Sequence, residues 1–167
     1  MKKIAICGIM TTTALIFSFI ETLIPLSFVI PGIKLGLANI VVIFSLYKLG
    51  TKEAILISLV RVMLAAFLFG SFSSMVYAVS GAVFSIVAMV LLKKMFKLHV
   101  ITVSICGAIS HIIGQLMVAG AVVGYEAVTI YLAPLLLAAF VTGAIVGVLG
   151  NILIGRIPID NVDGRNL

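Results

Sequence analysis

A chain of 167 residues that is 63% hydrophobic and only 10% charged cannot cover itself with a polar surface. Soluble domains hold about 45–50% apolar and about 25% charged residues, so the solvent of this chain is lipid. Its net charge of +6 comes from basic residues in small groups between apolar runs, with no patch of interleaved aromatics, so no nucleic-acid partner is expected.

The apolar runs are long and continuous, and the mean hydropathy is +1.40. A membrane barrel would alternate apolar and polar residues, so the runs read as helices. The first stretch, "MKKIAICGIMTTTALIFSFIE", has a basic start like a signal peptide. Its apolar run is long and it lacks a small-residue cleavage site, so it reads as a membrane helix. Six spans are expected, at about 3–22, 31–48, 52–70, 73–95, 99–123 and 131–155. "LGTKE" and "KKMFKLH" are connections on one side; "TLIPLSFVIPG", "GSFS" and "GYEAVTIY" lie on the other. Residues 1–156 then form one transmembrane domain and 157–167 a polar tail.

Alternating spans put Lys2, Lys3, Lys48, Lys52, Lys93, Lys94, Lys97, Arg156 and Arg165 on one side. Glu21, Glu126 and, at its edge, Lys34 fall on the other. The basic side is expected to be cytoplasmic, with both termini inside and the chain in the cell membrane. Gly81, Gly107 and Gly143 open similar small-residue runs without a fixed period, and Gly143 and Gly147 have GxxxG spacing. These read as faces where helices approach closely. Cys7 and Cys106 have no metal-ligand spacing and read as small apolar residues.

The stretch "PGIKLGLANI" places a lysine at the mouth of a hydrophobic helix. Pro31 suits a first helical position, which puts Lys34 in the first turn, where a cation opposes the helix dipole. Lys34 either snorkels to the boundary or helps to form an anion site with the helix N–H groups. Arg61 sits near the middle of the third span, where a charge costs at least about 2.5–3.5 kcal/mol. It faces either a ligand cavity or a buried partner, Glu21 being the nearest in topology.

His111 and Gln115 share one face of the fifth span with Ser104, Gly107 and Ala108, suited to a cavity wall or to helix contact. Asn39 is placed to line the same space as Lys34, and Tyr77 is either a ring wall or an interfacial tyrosine. Asn151 reads as a helix–helix hydrogen bond. Together Glu21, Lys34, Asn39, Arg61, Tyr77, His111 and Gln115 describe an outward-facing cavity for a small molecule with an anionic group. No nucleotide-binding P-loop, paired aspartates, catalytic triad or metal-ligand set is apparent, so this chain alone is not expected to be an enzyme or to need a cofactor.

"PGIKLGLANI", the "RV" of the third span and the following "FGS" resemble the Gx transporter family, also labelled heptaprenyl diphosphate synthase component I. The likeness runs to about Arg156. That family is in turn similar to the substrate-binding S components of energy-coupling factor (ECF) transporters. The resemblance implies a six-helix bundle with cytoplasmic termini and a ligand cavity toward the outside. It also implies partners: a transmembrane coupling protein and ATPase subunits that drive uptake of a micronutrient or an isoprenoid- or quinone-related molecule. S components often carry an Ala-x-x-x-Ala docking pattern on the first helix; here Ala5, Gly8 and Thr12 stand at roughly that spacing. The enzyme label implies instead a noncatalytic membrane subunit of a polyprenyl diphosphate synthase.

The topology is tested with single cysteines introduced after removal of Cys7 and Cys106. An impermeant thiol reagent on intact cells should label position 126 and spare positions 48 and 93. The reverse pattern contradicts the orientation.

Overall fold

The structure, a computed structural model, describes residues 2–24 and 35–158. Their apolar runs form six helices: α1 (Lys2–Leu23), α2 (Leu37–Lys48), α3 (Thr51–Phe69), α4 (Phe72–Phe96), α5 (Val100–Val123) and α6 (Tyr125–Arg156). No strand occurs among the described residues. Four helices, α1, α4, α5 and α6, are long and apolar enough to cross a membrane, which makes this a multi-pass membrane protein. α3 has 19 residues but carries Lys52, Glu53 and Arg61. α2 has only 12 residues, about 18 Å of helix against a hydrocarbon core of about 30 Å.

Two boundaries differ from the sequence expectation. α2 begins at Leu37 and not at Pro31, because Leu35 and Gly36 are not helical. Gly36 takes φ +76°, a left-handed conformation that suits glycine and ends any helix arriving from before it. The second span, expected over 31–48, is thus shortened at its start, and Lys34 is not in the first turn of α2; Lys34 itself lies outside the described residues. α6 begins at Tyr125 and not at residue 131, since "GYEAVTIY" is helical after its glycine. Gly124, at φ +98°, makes the whole turn between α5 and α6, and Glu126 in the first turn complements the helix dipole. The α3–α4 turn is similarly brief: Ser71 caps α4, accepting from the Ser74 N–H at 3.2 Å while Ser74 Oγ accepts from the Ser71 N–H at 2.8 Å.

The helices close into a ring. α3 packs on α1 and α4, α4 on α5, α5 on α6, α6 on α2, and α2 on α1 and α3. Close approach depends on glycine, as the small-residue runs suggest. A methyl placed on Gly147 would come within 2.8 Å of Ile101 Cα, and one on Gly143 within 2.9 Å of Ile105 Cα. Gly81 packs beneath His111 and Gln115, and Gly107 beneath Met89. Gly150 lets α6 approach Ile43 of α2.

The dry core is at one end of the ring: Val42, Ile43, Leu46, Ala54, Ile86, Met89, Val100 and Val103. Lys3 pairs with Glu53 at 3.4 Å and the Tyr47 hydroxyl donates to the Leu98 carbonyl at 3.2 Å. These contacts bring the start of α1, the α2–α3 turn and the α4–α5 turn to the same end. The outer surface is apolar, with Phe67, Phe72, Leu137 and Ile145 exposed, as lipid contact requires. Cys7 and Cys106 are partly buried free thiols. Asn151 differs from expectation: it is exposed and makes no hydrogen bond among the described residues.

Gly147→Val should lower stability by about 1–3 kcal/mol through overpacking. Gly8→Val should change it little, since nothing lies within 4 Å of a methyl at Gly8. Thermal unfolding in detergent compares them, and equal midpoints contradict the close α5–α6 contact.

Candidate functional site

Because α2 is too short to span, its N-terminal N–H groups emerge inside the bundle and need acceptors. The chain supplies one with a charge. Glu21, at the end of α1, accepts from the Leu37 N–H through Oε1 at 2.6 Å. The negative carboxylate also complements the positive end of the helix dipole. The other end of α2 carries the matching cation: Lys93 Nζ donates to the Leu46 carbonyl at 2.6 Å and lies 4.7 Å from the centre of the Tyr47 ring. Between these clamps every residue from Ile40 to Leu46 is buried.

Arg61 of α3 reaches toward the same place. It is 8% exposed, and its guanidinium donates through Nη1 to Ser18 Oγ and through Nη2 to Asn39 Oδ1, both at 3.3 Å. Both bonds are long and both acceptors neutral, and the buried Nε has no partner. Glu21 is near enough for its charge to act on Arg61, yet its Oε1 is engaged by α2.

These groups border a cavity of about 410 Å³ inside the helix ring, and every helix contributes to its wall. Along α6 the lining runs from Leu135 to Val146, about 16 Å of helix. Ser18, Glu21, Asn39 and Arg61 form the charged wall on α1, α2 and α3. Ser85, Ser104, His111, Gln115 and Thr142 supply further polar groups from α4, α5 and α6. Ile43, Val62, Met89, Ile112 and Val146 fill the apolar surface between them. A mostly apolar concavity with a few convergent polar groups is the usual form of a small-molecule site.

Five of the seven expected residues, Glu21, Asn39, Arg61, His111 and Gln115, therefore come together around one space. Tyr77 does not: the α4 lining consists of Ser74, Ala78, Ser85 and Met89, and Tyr77 is outside it. Lys34 is outside the described residues. Ser18 and Ser85 escaped the sequence reading. Ser18 stands one turn before Glu21 on the same face of α1, the one signal that could have found it. Among the described residues no group of His, Cys, Asp or Glu could hold a metal ion.

A model of the heptaprenyl diphosphate synthase component I family matches residues 10–153, the greater part of the chain. No curated protein and no solved structure matches it.

Glu21→Ala would leave the Leu37 N–H without this acceptor in a partly buried setting, a loss of about 1 kcal/mol. Thermal unfolding should show that fall, with Glu21→Gln intermediate because an amide oxygen still accepts but carries no charge. An unaltered midpoint for Glu21→Ala contradicts the clamp.

Proposed function

The chain belongs to the heptaprenyl diphosphate synthase component I family, and within it we propose that this protein is a substrate-binding membrane subunit resembling an ECF S component. Component I is a noncatalytic subunit, in agreement with the expectation that this chain is not itself an enzyme. In the proposed reading the chain crosses the cell membrane six times, with both termini cytoplasmic. The cavity receives a small anionic molecule from outside, and Glu21, Lys34, Asn39, Arg61, His111 and Gln115 contact or enclose it. Separate subunits, a membrane coupling protein and ATPases, supply the energy.

The observation that carries this reading is Arg61. A guanidinium at membrane depth is costly, and a donor left unpaired adds to the cost. Arg61 has both burdens and lines a cavity large enough for a small molecule. An anion at the guanidinium would offset both. The clamp on α2 changes the part played by the helix end: Glu21 already serves the first N–H, so the guanidinium is the principal anion contact.

The second reading, a membrane subunit tethered to a polyprenyl diphosphate synthase, is favoured by the family's description. Affinity purification from native membranes separates the two. Co-purification of a coupling protein and ATPases supports the transport reading; co-purification of a prenyl synthase alone contradicts it. Native mass spectrometry should also find a small anion on the wild type and not on Arg61→Gln. At about 100 times its dissociation constant such an anion should stabilise the fold by about 2.7 kcal/mol. Liposomes holding only this chain should not concentrate the anion with ATP, and accumulation would overturn the division of labour.

A further inference from the structure

The α4 and α5 wall of the cavity contains two serines that an anion site alone does not use. Ser85 on α4 and Ser104 on α5 are 5% and 4% exposed, and both line the cavity. In an apolar helix, serine and threonine hydroxyls usually turn back to a carbonyl one turn earlier. Thr11 and Thr142 do so, at 2.8 and 2.9 Å, and Ser80 donates to the Tyr77 and Gly114 carbonyls. Ser85 and Ser104 make no hydrogen bond among the described residues. Ser45 is also buried and unpaired, but it does not line the cavity.

They stand on two helices that pack together, α4 and α5. A methyl on Gly107 would lie 3.4 Å from Ser85 Oγ, and one on Gly147 of α6 would lie 3.0 Å from Ser104 Cβ. Met89 fills the space beside Gly107, and both serines border the cavity. Arg61 is held on the other side of the cavity by partners on α1 and α2.

We infer that Ser85 and Ser104 form a second recognition point for a neutral hydrogen-bonding group, a hydroxyl or carbonyl, on the ligand whose anionic group Arg61 holds. This inference rests on the cavity being an anion-binding site and narrows the class of molecule it takes. A pure hydrocarbon body would leave both hydroxyls unpaired; a molecule polar at two separated points would satisfy Arg61 and the serines together. The hydroxyls can donate to a carbonyl or exchange hydrogen bonds with an alcohol or phenol.

The test is calorimetric titration of purified protein in detergent with two series of carboxylates, phenylalkanoates and their 4-hydroxyphenyl counterparts of matched chain length. One hydroxylated member should bind about tenfold more tightly than its plain partner. The double variant Ser85→Ala, Ser104→Ala should bring that ratio near one while the plain carboxylate still binds. Ser45→Ala, a control for loss of a buried hydroxyl elsewhere, should leave the ratio intact. A ratio near one in the wild type, or one that survives the double variant, overturns the second recognition point while the anion cavity stands. Failure of every carboxylate to bind a cooperatively folded wild type overturns the cavity reading and this inference with it.

Discussion

A helix that ends inside a membrane protein must have its terminal N–H and C=O groups answered from within. α2, with 12 residues, is in that position, and the bundle answers both ends with charge. Glu21 comes from the end of α1 and Lys93 from the end of α4, so two neighbouring helices are fixed relative to α2 by short bonds of 2.6 Å. Each charge lies at the dipole end that stabilises it. The cavity lies beside α2, whose Asn39 and Ile43 line it together with Arg61 of α3.

The electrostatics of that interior are uneven in a way that bears on function. One wall holds Arg61 and Glu21, but the carboxylate is committed to α2, while the guanidinium has two long bonds and an unpaired Nε. The other wall has hydroxyls, an amide and an imidazole. The cavity thus presents charge from α1 and α3 and hydrogen-bonding groups from α4, α5 and α6. Component I is a noncatalytic subunit, and membership of that family is compatible with this chain's not being an enzyme.

Much of this was legible in the sequence because lipid imposes strong rules. Hydropathy alone gave the helices, and the cost of a buried arginine singled out Arg61 before any contact was known. Glu21, Asn39, His111 and Gln115 followed from their depth and helical spacing. The failures have local causes. Pro31 is a good helix-starting residue, but the left-handed Gly36 separates it from α2. "GYEAVTIY" looks like a polar connection, yet Gly124 alone completes the turn and the rest continues α6. Tyr77 is off the lining face of α4, which depth along the helix does not reveal. Hydroxyls were the hardest to read: most turn back to their own helix, and spacing does not reveal that Ser18 serves Arg61 or that Ser85 turns to the cavity.

The central claim is that Arg61 is held unsatisfied for an anion from outside the protein. A high-resolution map of the wild-type protein, purified from native membranes without added ligand, tests this most directly. The account predicts density from a small non-protein molecule in the cavity, within hydrogen-bond distance of the Arg61 guanidinium. A guanidinium fully paired by protein groups, beside a cavity closed by side chains, would contradict it.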